Sequence, residues 1–161
     1  LLGRDRTQMW RHLFDENVHI YSMATRGGYG GIADTTGLAV NAMKIAGYDI
    51  VIVETIGIGQ DQAEVRTIAD MTGLILTPDI GEDQVYKSGI MQIVDFYVIN
   101  KTDIMPALPL EKFLNEMIDN RVSFSGKSKS RPFIINTSMV NKNCSGIQKL
   151  AEKILEYGEN L

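Results

Sequence analysis

Four short runs of continuous apolar, β-branched character constrain this chain more than any other feature. They are DIVIVET (49–55), GLILTP (73–78), DFYVINK (95–101) and PFIINTS (132–138). A strand with one wet face alternates apolar and polar residues, whereas a strand covered by helices on both faces is apolar throughout. VHIYSM (18–23) is a weaker fifth candidate. Between the runs, segments 34–46, 61–71, 83–94, 109–120 and 146–157 carry helical spacing. Alternating strand and helix predict βαβ crossovers and an α/β fold: a doubly wound, mainly parallel sheet with helices on both faces. The length of 161 residues suits a single domain over 1–161, able to bury a core without disulfides or a structural metal.

In such sheets ligands bind outside the carboxyl ends of the strands. The residues to read are therefore Glu54 to Gln60, Pro78 to Asp83, Asn100 to Asp103 and Asn136 to Met139. Composition narrows the ligand class. The formal charge is −4 and the bases are dispersed, so neither nucleic acid nor an anionic membrane surface is expected as a partner. Cys144 is the only cysteine, and His12 and His19 lack cysteine partners at zinc-site spacing. A reducing cytoplasm is the expected compartment. No apolar run is long enough to span a bilayer.

The most informative string is NKTD, Asn100 to Asp103, directly after a predicted strand. Guanine presents a ring N–H and an exocyclic amine side by side, and one carboxylate accepts from both, a pairing that adenine cannot offer. Asp103 would supply that carboxylate. Asn100 would fix the loop and approach the base, and the stem of Lys101 would lie against the purine face. The next run ends in Asn136, Thr137, Ser138 and Met139, beside the first turn in a parallel sheet. Its backbone N–H groups would reach the guanine carbonyl.

Upstream, DIVIVE runs into ETIGIGQ. Glu54 stands where a carboxylate holds Mg²⁺ directly or through water, or else is simply solvated. Gly57 and Gly59 would let backbone N–H groups approach a terminal phosphate, and Gln60 would orient an attacking water. Asp5, a lone acid before a predicted helix, reads more readily as a helix N-cap than as a metal ligand. TRGGYGG (25–31) lacks the Lys-Ser or Lys-Thr that follows the glycines of a P-loop. DIGEDQVYK (79–87) reads as a solvated loop and helix start with acids in the first turn.

Together, DRTQM (5–9), SMATRGGYGGIA (22–33), AGYDIVIVETIGIGQ (46–60), KSGIMQIVDFYVINKTD (87–103) and the terminal Thr137-Ser138 resemble the MeaB and ArgK-like GTPases, chaperones of cobalamin-dependent acyl-CoA mutases. The resemblance covers essentially the whole chain. It implies a domain that binds GTP and GDP with Mg²⁺, hydrolyses GTP, and couples hydrolysis to adenosylcobalamin loading of a mutase. Carried over, Asp5 and Glu54 are acids near Mg²⁺, and Gly57 to Gln60 form a switch near the terminal phosphate, with Gln60 the catalytic position. Asn100, Lys101, Asp103, Ser138 and Met139 form the guanine site. Glu82, Asp83 and Lys87 belong to a switch loop facing the mutase.

Three departures from the family pattern stand out. The family places its P-loop ahead of the position numbered 1 here, so the expectation is a P-loop GTPase-like core without the first strand and Walker A loop. The segment 78–89 is one residue shorter than usual, and GRDRTQM is one longer before Asp5. The family's C-terminal dimerisation extension is not in the sequence, which leaves a homodimer as a candidate assembly of the full-length protein. Two alternatives stay open: a GTPase serving another metallocentre, for which a His- or Cys-rich segment is lacking, and a non-hydrolysing interaction module of the same fold.

Overall fold

Three of the four apolar runs become strands. In the computed structural model of the chain, residues 9–12, 14–24, 33, 35–55, 65–81, 85, 94–125, 131–138, 140 and 145–160 are described. The strands are β1 (Gly73–Leu76), β2 (Phe96–Ile99) and β3 (Phe133–Asn136). They form a parallel sheet in the order β1-β2-β3. Leu76 pairs with Ile99, and Ile99 with Asn136, so the three strands end level and their following loops leave from one edge.

The chain separates into two compact units, Leu1–Ala69 and Asp70–Leu161. The second contains the sheet. Its central strand β2 buries Tyr97, Val98 and Ile99 in succession, as a strand covered on both faces must. Helix α3 (Leu108–Ser125) supplies one cover. Leu110, Phe113, Leu114, Met117 and Ile118 recur at helical i, i+3, i+4, i+7 and i+8 spacing, and all five join the core with Leu74, Leu76, Val85, Val94, Tyr97 and Ile99. Pro109 is tolerated in the first turn of α3 because an N–H there has no helical acceptor. Arg131 then ties the approach to β3 back to α3, its Nη2 donating to Asp119 Oδ1 at 2.9 Å and to Asn115 Oδ1 at 3.0 Å.

The last helix, α4 (Ser145–Gly158), follows β3. Gly146 at its start lies so close to the Asn136 carbonyl oxygen that a Cβ would overlap it. Tyr157 near its end donates its hydroxyl to Asp70 O at 2.9 Å.

The first unit contains a 3₁₀ turn at Trp10–His12, helix α1 (Thr36–Ile45) and the short helix α2 (Val65–Ile68). Ala33, Thr36, Val40 and Val65 are buried. Helix α1 ends where Gly47 takes a φ of 91°. Gly47 N donates to Lys44 O at 3.1 Å and Tyr48 N to Met43 O at 3.2 Å, which satisfies two carbonyls at the helix end.

Two expected strands are corrected. Residues 49–55 and 18–23 carry no strand pairing among the described residues. An apolar run becomes a strand only where a neighbour takes its N–H and C=O groups, and the ladder described here is completed by β1, β2 and β3 alone. Ile52, expected inside the sheet, is 84% exposed. The helix expected over 83–94 falls largely outside the described residues, although Val85 and Val94 at its ends are buried. The other expected helices are present, 34–46 as α1, 109–120 as the longer α3 and 146–157 as α4, and within 61–71 the described residues carry α2 at Val65–Ile68.

Candidate functional site

The level strand ends of β2 and β3 bring Asn100–Asp103 and Thr137–Ser138 side by side. The ladder extends one residue past each strand: Asn100 N donates to Leu76 O and Thr137 N to Ile99 O, both at 2.8 Å. Immediately beyond, the chain turns sharply at Lys101, whose φ is 61°. For a non-glycine residue this left-handed conformation is uncommon and is kept only where the surroundings enforce it. Ile104 N closes the turn on Lys101 O at 3.0 Å.

Three side-chain bonds lock the two loops, and a fourth braces them from below. Thr137 Oγ1 donates to Asn100 Oδ1 at 3.1 Å. Ser138 Oγ donates to Asp103 Oδ1 at 2.6 Å, a length characteristic of a hydroxyl on a carboxylate. Thr102 Oγ1 donates to Thr137 O at 3.1 Å. Below them, Asn136 Nδ2 donates to Glu111 Oε2 at 3.0 Å, linking β3 to the first turn of α3. Thr137 is buried, Asn100 and Ser138 are half-buried, and Lys101 and Asp103 are exposed. A rigid base thus presents two groups to solvent.

The chemistry left open is specific. With one oxygen held by Ser138, the Asp103 carboxylate retains acceptor capacity on the other, and the Asn100 amide, its oxygen held by Thr137, retains its NH₂ donors. Lys101 adds a positive charge on the same turn. Across the edge, the Thr77 hydroxyl bonds to Asp79 and holds its carboxyl below the ordinary carboxylate value; the Asp79 backbone N–H and the charge of Lys101 act in the same direction. Deeper in the core, burial pushes the Tyr97 phenol up, partly offset by Arg121.

Of the expected site residues, the structure brings Asn100, Lys101, Asp103 and Ser138 into one cluster. Glu54 is described and exposed, at the end of an extended segment instead of a strand. Asp5, Gly57, Gln60, Glu82, Asp83, Lys87 and Met139 lie outside the described residues. Sequence reading gave no role to Thr102 and none to the Thr137 side chain. Only the level ending of the two strands, which spacing does not reveal, brings them together.

Among the described residues no helix is long and apolar enough to cross a membrane, and no cluster of three His, Cys, Asp or Glu side chains is placed to hold a metal ion.

A parallel sheet with flanking helices and an Asn-Lys-Thr-Asp turn at its carboxyl edge places the chain in the α/β class, as a P-loop GTPase-like fragment. The profile of the family described as Methylmalonyl Co-A mutase-associated GTPase MeaB matches residues 1–161, and the chain belongs to that family. A Pyrococcus abyssi protein named as a candidate GTPase is 39% identical over 163 residues, covering 100% of this chain and 49% of that protein. The Mus musculus protein named methylmalonic aciduria type A homolog, mitochondrial, is 32% identical over 159 residues, covering 98% of this chain and 38% of its own length. The Caenorhabditis elegans protein of the same name is 38% identical over 162 residues, covering 96% of this chain and 41% of its own. The chain therefore spans half or less of the length of these curated relatives.

Proposed function

We propose that this chain carries the guanine-recognition half of a GTP-hydrolysing chaperone that assists adenosylcobalamin loading, or protection, of a cobalamin-dependent acyl-CoA mutase. Residues 1–161 then belong to one nucleotide-binding domain. The observation that carries the reading is the paired lock of Ser138 on Asp103 and Thr137 on Asn100. It fixes an acceptor and a donor group at a strand-end edge, where a purine would lie.

In this reading Asp103 accepts from the ring N–H and exocyclic amine of guanine, Asn100 approaches the base with its NH₂, and Lys101 covers the purine face. Ser138 and Met139 offer backbone N–H groups to the guanine carbonyl. Glu54 is exposed, which suits a carboxylate that holds a hydrated cation, and with Asp5 it would hold Mg²⁺. Bound there, Mg²⁺ would neutralise charge on the phosphates. Gly57 would approach the terminal phosphate, and Gln60 would orient the attacking water. Glu82, Asp83 and Lys87 form the segment through which a mutase is sensed. The charge of −4 disfavours nucleic acid as a partner, and the cytoplasm is the proposed compartment.

Calorimetry on the full-length protein tests the central claim. GDP should bind and ADP should not bind comparably. Leaving guanine donors unpaired costs about 1 to 3 kcal/mol, so Asp103→Asn should weaken GTP binding roughly tenfold or more. Equal affinity for the two bases, or an unchanged constant in the variant, removes the guanine assignment.

A further inference from the structure

Three polar residues of α3, Glu111, Asn115 and Asp119, recur at i, i+4 and i+8 and so lie in one row along the helix. A polar row on a helix is ordinarily a solvated face. Here each member is bonded, and the bonds engage β3 at both of its ends. Ahead of the strand, Arg131 Nη2 donates to Asn115 Oδ1 at 3.0 Å and to Asp119 Oδ1 at 2.9 Å. At the last residue of the strand, Asn136 Nδ2 donates to Glu111 Oε2 at 3.0 Å. Within the row, Asn115 Nδ2 donates to Glu111 O at 2.9 Å.

The two ends differ in what they can affect. Arg131 and Asp119 form an exposed ion pair, which contributes little to stability. Glu111 is half-buried, and its partner Asn136 stands one residue before the candidate site. Thr137 follows directly: its N–H donates to Ile99 O at 2.8 Å, and its hydroxyl donates to Asn100 Oδ1 at 3.1 Å. On its backbone side, Asn136 is bounded by Gly146, where a Cβ would overlap the Asn136 carbonyl. Asn136 is thus held through its side chain by α3 and bounded at its carbonyl by α4.

We propose that Glu111 is a positioning residue for nucleobase recognition: by holding the Asn136 side chain it fixes where β3 gives way to Thr137, and thereby where Thr137 holds the Asn100 amide. The proposal rests on the guanine reading above and adds to it the residue of α3 that braces the site. Glu111 itself touches no nucleotide. Its carboxylate is needed here as a hydrogen-bond acceptor and not as a charge. That separates this role from the ordinary one of an acid in the first turn of a helix, which is to offset the positive end of the helix dipole.

Calorimetry on the full-length protein with GDP and ADP tests it. Glu111→Ala should weaken GDP binding about fivefold, the size of one hydrogen bond. Glu111→Gln keeps an acceptor oxygen and loses the charge, and should bind GDP within about twofold of wild type. Asn136→Ala removes the same bond from its other partner and should match Glu111→Ala, which keeps the test available if the helix variant does not fold. On an Asn100→Ala background, Glu111→Ala should change affinity by less than about twofold, because its route ends at Asn100. Wild-type affinity in both alanine variants overturns the proposal. A loss in Glu111→Gln as large as in Glu111→Ala overturns it too, since the charge would then be what matters, and so does an undiminished loss on the Asn100→Ala background. A wild-type protein that binds GDP and ADP alike instead sinks the guanine reading, before any variant is made.

Discussion

Asp79 shows how the strand-end edge tunes individual residues. It is exposed, yet its carboxyl is held below the ordinary value, first by the Thr77 hydroxyl, then by the backbone, with a smaller push from Lys101. A depressed carboxylate contributes stability that is present above its unfolded pKa and lost as pH falls through the lower folded value. Thr77→Val should therefore raise the Asp79 titration midpoint toward the ordinary carboxylate value. Lys101→Met should raise it less, because the Coulombic contribution is the smaller one. Carbonyl-detected NMR titration of Asp79 measures both. A midpoint unmoved by Thr77→Val would mean that the hydroxyl bond does not persist in solution. The candidate site residues Asn100, Lys101 and Asp103 were legible because Asn-Lys-x-Asp is a contiguous string after an apolar run. Thr102 was not, since its partner lies 35 positions on and the pairing exists only once β2 and β3 end level.

At the scale of elements, apolar character predicted β1, β2 and β3, each with shorter bounds than its run. The runs overshoot because their polar ends belong to the loops: Asn100 and Thr137 each complete the ladder by one bond, and Lys101 then reverses the chain. The same signal failed at 49–55, since composition reports only the ability to be buried and says nothing of which edge accepts the strand. Where elements touch, two glycines set the approach. A Cβ on Gly73 would strike the Phe96 ring, which is stacked on Phe133 with centroids 5.3 Å apart. A Cβ on Gly146 would strike the Asn136 carbonyl, a backbone group that cannot swing away. Gly146→Ala should thus destabilise by about 1 to 3 kcal/mol, and by more than Gly73→Ala, where a side chain can rearrange. Urea denaturation orders the two. Because Asn136 leads into Thr137, the Gly146 variant should also loosen GDP, and a variant as stable as wild type would show that α4 starts farther from β3.

At the scale of the whole molecule, the proposed function asks two different things of the chain, to bind a base and to break a phosphate bond. The proposed base-reading residues that the structure brings together, Asn100, Lys101, Asp103 and Ser138, follow core residues such as Ile99, which is 0% exposed. Hydrolysis needs more: a cradle of N–H groups and a lysine on the β- and γ-phosphates, a placed Mg²⁺, and an oriented water. No G-x-x-x-x-G-K-[ST] string occurs in the 161 residues, so the lysine and hydroxyl of such a cradle are not among them. The relatives are at least about twice as long as the matched segment, since this chain covers 49% of one and 38% of another. The 161-residue chain on its own should therefore favour guanine over adenine nucleotides while hydrolysing GTP at a negligible rate. Removing transition-state donors on this scale costs a hundredfold or more, by analogy with the roughly 10²- to 10³-fold loss for a single oxyanion donor. Phosphate release from GTP, measured for the chain and for the full-length protein under identical conditions, decides it. Comparable turnover by the two would place a working phosphate site inside these residues, with Gln60 and the 25–31 glycines as the first positions to test.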